Sequence, residues 1–219
     1  MQLTTWFVRV TSITFSVLFC LFGSISGAEA STSITGNITG NVTWTPAGSP
    51  YLVAGATVTS GSSLTIQPGV TVKLAGTLAL YTFGTLTIGA PDSDQVIITS
   101  QQDDSVGGDT NNDGANTIPT KDDWCSIGVH TNANLIVTNT SIHYGGCSAY
   151  GQLYNFGGNI TVADSQFFDS GQYGIMNANG NLTLTGTEIT RALTGVRFHK
   201  GTIIMHDNSI HDNEEYGIN

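Results

Sequence analysis

The 219-residue chain has few charges, and positive charges are the scarcest. Lys and Arg together number 6, against 16 Asp and Glu, and the formal net charge is −10 at pH 7. A protein that binds nucleic acid needs a basic surface to meet the phosphates, so this composition excludes nucleic acid as a partner. Apolar residues at helical spacing are also absent, which excludes parallel strands joined by crossover helices.

Long apolar runs are absent except near the start of the chain. Residues 1–30 have the form of a secretory signal peptide: Arg9 is the only early charge, Val10 to Phe22 is mostly apolar, and Ala28-Glu29-Ala30 fits a cleavage site. The alternative is a membrane anchor, but the apolar run is shorter than the roughly 20 residues that span a bilayer. We therefore expect a secreted or cell-surface protein with no transmembrane segment after cleavage.

A repeat of 21 to 25 residues runs through the second half of the chain. Short alternating strands recur at this interval, and alternation places every other side chain inward. The chain is expected to coil so that equivalent apolar residues stack on one another. Three rows of residues recur at this same interval. The first is Ser126, Gly151, Gly174, Gly195 and Gly217; the second is Leu135, Ile160, Leu182 and Ile203; the third is Ile142, Phe167, Ile189 and Ile210. The pattern predicts an all-β protein, a β-solenoid with rungs of about 22 residues.

The limits of the coil follow from where this pattern starts and breaks. We expect the coil to occupy residues 53–219, with an acidic insertion at 101–123. Residues 31–52 break the period, which is typical of a cap over the first open rung. The chain stops at the start of a new rung, Tyr216 to Asn219, without a capping segment. We therefore expect further C-terminal rungs or end-to-end association at that side.

Several motifs resemble those of a known family. Val42-Thr43-Trp44, Leu64-Thr65-Ile66-Gln67-Pro68-Gly69-Val70, Gly84-Thr85-Leu86 and Asp123-Trp124 are similar to the opening module of prokaryotic right-handed parallel β-helix repeat proteins. The resemblance covers the mature chain and implies the pectate-lyase-like fold. That fold also houses polysaccharide lyases, glycoside hydrolases and adhesins, so fold alone does not select a function. Where the family would carry a Gly before Ile127, this chain has Ser126.

The insertion at residues 101–123 is the chemically richest part of the chain. The run Asp109-Thr110-Asn111-Asn112-Asp113-Gly114 matches the first half of a calcium loop, in which oxygen side chains at alternate positions converge on one ion. Thr120 stands where such a loop has its closing carboxylate, so that group must come from elsewhere in the insertion. The alternative is a solvated acidic loop. The candidate ligands of a structural calcium ion are Asp103, Asp104, Asp109, Asn111, Asp113, Asp122 and Asp123.

Cysteine is scarce, and one of the 3 cysteines lies inside the expected signal peptide. Cys125 and Cys147 are separated by about one turn of the coil, which would place them on neighbouring rungs. Cys147 falls about three positions short of the point above Cys125, so a disulfide requires the turn to bulge back. Two buried free thiols are the alternative.

Three of the five basic residues beyond position 30 lie close together: Arg191, Arg197 and Lys200. The family resemblance implies that a polysaccharide lyase would use Arg197 or Lys200 as the base for calcium-assisted β-elimination on an acidic polysaccharide. The alternative is an ordinary outward-facing patch. Our leading hypothesis is a noncatalytic module for glycan binding, adhesion or scaffolding, with a cell-surface glycan or polysaccharide as its partner.

One outward column of the predicted coil is rich in threonine. It consists of Thr65, Thr87, Ile136, Thr161, Thr183 and Ile204. Such a column matches a regular lattice such as ice or a polysaccharide; the alternative is that β-branched residues simply favour strands. Asn134, Asn159 and Asn181, each just before a strand, are expected to form a stacked amide column.

Overall fold

The computed structural model describes residues 31–76 and 80–219. Within these ranges all regular structure is β-strand, apart from one short 3₁₀ turn at Pro46–Gly48. The expected signal peptide, residues 1–30, lies outside the described residues. None of the described residues belongs to a helix long and apolar enough to cross a membrane.

The strands follow one another in about eight turns of a parallel coil. They are β1 (Thr32–Ile38), β2 (Asn41–Trp44), β3 (Tyr51–Val58), β4 (Ser63–Ile66), β5 (Thr71–Leu74), β6 (Leu80–Thr82), β7 (Thr85–Ile88), β8 (Val96–Ser100), β9 (Ile127–Val129), β10 (Asn134–Thr138), β11 (Thr140–His143), β12 (Gly151–Ala163), β13 (Gln166–Phe168), β14 (Tyr173–Thr185), β15 (Glu188–Thr190), β16 (Thr194–Phe198), β17 (Thr202–His206), β18 (Ser209–His211) and β19 (Tyr216–Ile218). Each turn places strands in stacks of parallel neighbours, which satisfy their backbone groups above and below.

The pairings define three stacks along the coil. The first stack contains β5, β8, β11, β13, β15 and β18. The second contains β6, β9, β16 and β19 together with the first parts of β12 and β14. The third contains β2, β4, β7, β10 and β17 together with the second parts of β12 and β14. β1 and β3 begin in the first stack and end in the second.

Apolar side chains fill the interior of the coil in rows. Leu135, Ile160, Leu182 and Ile203 pair in register in the third stack. Ile142, Phe167, Ile189 and Ile210 do the same in the first stack. Except at the last turn these side chains are almost fully buried, and burial of apolar surface is the main stabilising term in such a core. The predicted all-β parallel coil is confirmed.

The coil begins earlier than the sequence pattern indicates. β1 and β2 pair in parallel with β3 and β4, in the same manner as the later rungs. β1 and β2, which lie within the segment 31–52 expected to form a cap, therefore already have the pairing of a turn of the coil, and Tyr51 begins the next turn. The 3₁₀ turn at Pro46–Gly48 lies between β2 and β3, where Trp44 stacks on Tyr51 at 4.8 Å between ring centroids.

The predicted glycine row is displaced by one residue at its second member. Leu153 pairs with both Ile127 and Ile175, which places Gln152, and not Gly151, between Ser126 and Gly174. The turn that begins at Cys147 adds residues to this rung and shifts the spacing. Gln152 is fully buried there, and its amide donates a hydrogen bond of 2.8 Å to the Phe168 carbonyl.

Candidate functional sites: the acidic loop and an aromatic strip

Residues 101–123 form a loop without strands, here called the acidic loop, which folds over the outer side of the first stack. Lys73 of β5 lies beneath it. The Lys73 side chain is fully buried, and its Nζ donates a hydrogen bond of 2.5 Å to the Gly108 carbonyl. Burial lowers the pKa of Lys73, and the neighbouring charges of Asp104 and Asp103 oppose that shift. Lys73 therefore fixes the loop to the coil at the cost of burying an ammonium group.

Three carboxylates of the acidic loop converge. Oxygens of Asp104, Asp109 and Asp113 all lie within 4.8 Å of one another. Asp109 also shapes the turn, because it accepts hydrogen bonds from the backbone N–H of Asp113 at 3.2 Å and of Gly114 at 2.8 Å. Desolvation, followed by the charge of Asp109, raises the pKa of Asp104. A bound cation would reverse that shift, because it favours the ionised carboxylate.

The donor atoms of this cluster fit a hard divalent cation. The Oδ1 atoms of Asp104, Asn111 and Asp113 are buried and have no hydrogen-bond partner. Buried polar atoms without partners are costly, and Ca²⁺ takes carboxylate and amide oxygens as ligands. The three carboxylates carry three negative charges, and the nearby Lys73 ammonium group offsets one of them. Two negative charges are left for a bound cation to balance. The cluster therefore has both the ligands and the charge that suit calcium.

The other predicted ligands serve the loop in different ways. Asp103 is buried and accepts a hydrogen bond of 2.6 Å from Thr99 Oγ1. Asp123 accepts one of 2.6 Å from Ser100 Oγ. Burial, and then the charge of Asp123, raises the pKa of Asp122. The structure brings together Asp104, Asp109, Asn111 and Asp113 from the predicted set, and leaves out Asp103, Asp122 and Asp123.

A disulfide joins Cys125, which follows the acidic loop, to Cys147 on the next rung, with 4.6 Å between their Cα atoms. The Gly146 N–H donates a hydrogen bond of 2.9 Å to the Cys125 carbonyl, so Cys147 lies one residue past the paired position. The additional residues of this rung follow Cys147, and for that reason the expected mismatch of three positions does not arise. The disulfide ties the end of the acidic loop to the coil.

The two candidate lyase bases lie away from the acidic cluster. Arg197 is half-buried on β16, with its Cζ 5.9 Å from the centre of the Tyr173 ring. Lys200 is exposed in the turn after β16. Lys73, which neighbours the cluster, lies in the first stack, whereas Arg197 lies in the second stack and four turns further along the coil. Four turns correspond to about 19 Å at the usual strand spacing. The structure therefore does not place either base beside the candidate calcium ligands.

A set of aromatic side chains on the outer side of the second stack was not predicted from the sequence. His130 is stacked between two rings: its centroid lies 4.0 Å from that of Phe83 and 4.6 Å from that of Phe156, with interplanar angles of 13° and 10°. The Tyr154 ring lies 4.3 Å from Phe156, and Tyr81 lies 5.7 Å from His130. These five residues are here called the aromatic strip.

The aromatic strip continues along the coil to a basic residue. Tyr81, Gly128, Tyr154, Met176 and Arg197 occupy equivalent positions on five successive strands. Gly128 has no side chain, and the Tyr81 ring fills the space where a Cβ would stand. The column spans about 19 Å at the usual strand spacing.

A polar pocket adjoins the strip at its other end. The pocket has a volume of about 400 Å³, and Phe83 forms part of its wall. Amide and hydroxyl groups of Asn41, Ser63, Thr85 and Asn134 form much of the remainder. The wall is therefore mostly polar, and Phe83 supplies its aromatic part.

The family described as right-handed β-helix region matches residues 105–219, which is more than half of the chain. No curated protein and no solved structure matches the chain. Together with the parallel register of all three stacks, the match shows that this protein belongs to the right-handed β-helix family.

Proposed function

We propose that this protein is a noncatalytic β-helix module, secreted or displayed at a cell surface, that binds a glycan along the aromatic strip. The observation that carries this proposal is the stack of Phe83, His130 and Phe156 with Tyr154 beside it, on the outside of a rigid sheet. Sugar rings pack their C–H faces on aromatic rings. Because Phe83 and Phe156 cover both faces of His130, the ring surfaces left for a sugar are those on the outside of the stack. Exposed clusters of such rings mark interaction sites.

The groups at the two ends of the strip indicate which glycan fits. The pocket beside Phe83 offers amides and hydroxyls for sugar hydroxyl groups. Arg197 at the other end offers a guanidinium for one carboxylate or sulfate. A chain with a net charge of −10 repels a uniformly charged polyanion. The best match is a polysaccharide that is neutral over most of its length and carries an isolated acidic group.

The arrangement favours binding over β-elimination. A lyase needs its base next to the cation that neutralises the substrate carboxylate. Arg197 lies instead at the end of an aromatic strip, and Lys200 lies in the turn that follows its strand. In this proposal Arg197 is a binding residue, and adhesion or scaffolding is the process that glycan binding serves.

A structural calcium ion in the acidic loop is a second proposal, with Asp104, Asp109, Asn111 and Asp113 as its ligands. It is supported by the buried Oδ1 atoms that have no hydrogen-bond donor. A loop without strands loses much conformational entropy on ordering, and an ion that joins four of its side chains would offset part of that cost. Export is supported separately by the Cys125–Cys147 disulfide, because disulfides persist in oxidising compartments.

Affinity electrophoresis of the purified protein against a panel of neutral and uronate-containing glycans tests the binding proposal. We expect retention by one class, and about a fivefold loss of affinity in Tyr154→Ala, since one stacked ring contributes about 1 kcal/mol. Phe168→Ala is the control, because Phe168 is an outward aromatic residue of the first stack. Equal losses in the two variants would contradict the proposal. Unsaturated product that disappears in Arg197→Ala would establish a lyase.

A further inference from the structure

The outer side of the third stack carries a regular column of β-branched side chains. Seven successive strands pair there without a shift of register. The column, here called the threonine face, consists of Thr43, Thr65, Thr87, Ile136, Thr161, Thr183 and Ile204. Each of these side chains is exposed or half-exposed. The structure thus extends the predicted column by one residue and shows it to be continuous.

On the described strands of the third stack, His206 is the one titratable side chain at an outward position. In the described part of the chain, none of the outward positions of these strands is Asp, Glu, Lys or Arg, although the protein has 16 acidic residues. The outward positions on either side of the column are Asn41, Ser63, Thr85, Asn134, Thr138, Asn159, Ala163, Asn181, Thr185, Thr202 and His206. Asp164 and Asp207 lie in the turns that follow β12 and β17, so a neutral surface that contacts the column itself does not cover a charged side chain of these strands.

Hydrogen-bonded amide side chains run along one edge of the threonine face. Asn159 donates a hydrogen bond of 3.1 Å to Asn134, and Asn181 donates one of 2.8 Å to Asn159. The predicted amide column is therefore present. Ladders of identical side chains favour flat stacks of strands, and β-branched side chains have few rotamers. Hydroxyl and methyl groups consequently repeat at the strand spacing of about 4.8 Å.

We propose that the threonine face binds ice. Its partner must be neutral and flat, and must repeat on the scale of one strand spacing. The surface of an ice crystal has these properties, because it is an uncharged lattice of water molecules with a repeat close to that spacing. Threonine hydroxyls can donate to and accept from lattice waters, while the methyl groups occupy the gaps between them. Asn41, Ser63, Thr85 and Asn134 border both this column and the pocket beside Phe83, but the proposal rests on the column and does not depend on glycan binding.

Two other partners fit the threonine face less well. A polysaccharide favours aromatic rings, and the seven positions contain none, whereas the aromatic strip on the second stack has several. A second copy of the chain would need a substantial apolar core at the interface. Only Ile136 and Ile204 of the column are large apolar side chains, with exposures of 42% and 46%.

The test measures thermal hysteresis and the incorporation of fluorescently labelled protein into a growing ice crystal. We expect the intact chain to be incorporated and Thr161→Arg to lose the effect by at least about tenfold, a factor that corresponds to about 1.4 kcal/mol. Thr161 lies near the centre of the column, between Ile136 and Thr183. Ser209→Arg is the matched control, because Ser209 is exposed on a strand of the first stack.

Each alternative result decides the question. Absence of incorporation by the unaltered protein, or equal loss in Thr161→Arg and Ser209→Arg, overturns the proposal. It is also overturned if Thr161→Arg abolishes a solution dimer or glycan retention while ice incorporation remains. Thr161→Val keeps the branched shape and removes only the hydroxyl, and we expect it to keep part of the activity if Thr161→Arg fails to fold. Normal ice binding with no glycan retention would reject the glycan proposal alone.

Discussion

The coil and the acidic loop are in contact but are stabilised by different forces. In the coil, apolar side chains such as Leu135 and Phe167 are 1% exposed and stack on equivalents in the next turn. In the acidic loop, carboxylates such as Asp103 and Asp109 accept hydrogen bonds from hydroxyl and N–H groups, and Lys73 is buried beneath them. Apolar burial depends little on ions or pH, whereas the loop is held by charges. Sensitivity to solution conditions is therefore expected to be concentrated where the repeat is broken.

The largest expected effect is the removal of a core ring. Phe167→Ala should lower the free energy of unfolding by about 3 to 5 kcal/mol, because it removes a buried phenyl group and leaves a cavity. Denaturant unfolding followed by circular dichroism measures this change. Phe83→Ala, which alters an outward ring with 42% exposure, is the control and should have a much smaller effect. Similar losses in the two variants would show that the rows are not the main source of stability.

Removal of the disulfide should have the next largest effect, because it joins the loop end to the coil. We expect Cys125→Ser with Cys147→Ser to lose about 3 kcal/mol, the usual contribution of a cross-link that closes a loop of this size. Reduction of the unaltered protein by dithiothreitol should give the same shift in thermal unfolding. An unchanged unfolding curve in both experiments would mean that hydrogen bonds alone fix Cys125 and its neighbours.

Calcium should stabilise the folded protein through its contacts with the acidic loop. At a concentration 100 times the dissociation constant, a bound ion would raise the free energy of unfolding by about 2.7 kcal/mol. Thermal unfolding and Trp124 fluorescence, measured with calcium and with a chelator, report this change. Asp109→Asn should abolish it, whereas Asp207→Asn, at an exposed turn far along the coil, should not. Equal responses of the two variants would exclude the proposed ligands.

The smallest expected effect concerns pH and the aromatic strip. Burial lowers the pKa of His130 below its usual 6.5. The unfolded chain therefore protonates His130 at a higher pH than the folded protein does. The contribution of neutral His130 to stability is present above pH 6.5 and is lost as the pH falls from there through the folded-state pKa. His130→Phe keeps a ring between Phe83 and Phe156 and should reduce the loss of stability on acidification. An unchanged pH dependence would assign the effect to His143, whose pKa burial also lowers.

Inward-facing residues could be predicted from the sequence, because stacking forces equivalent positions to be apolar. The rows that contain Ile160 and Phe167 follow this rule, and their predicted pairing is confirmed. Of the calcium candidates, the sequence could not separate Asp104 from Asp122, since the path of a loop without strands depends on individual hydrogen bonds and on Lys73. Side chains that face solvent follow no such rule, and a repeat does not predict them.

The aromatic strip illustrates the limit of repeat analysis. Tyr81 and Gly128 are direct neighbours across two strands, yet the acidic loop lies between them in the sequence. Tyr154 lies one rung after Gly128, and that rung contains additional residues after Cys147. Unequal rung lengths therefore conceal the outward column, although its members could be found once the inward rows are aligned and the alternate positions are read from them.

The pairing of β7 with β10 has a consequence for how such proteins diversify. These strands are neighbours in the third stack, in register from Thr85 and Asn134 onward, although the entire acidic loop is inserted between them in the chain. A coil that closes beneath an insertion separates the evolution of its loops from that of its framework. New loops can be acquired, lengthened or exchanged at the end of β8 while the neighbouring turns retain their alignment, so this edge of the molecule is a natural site for grafting new recognition surfaces.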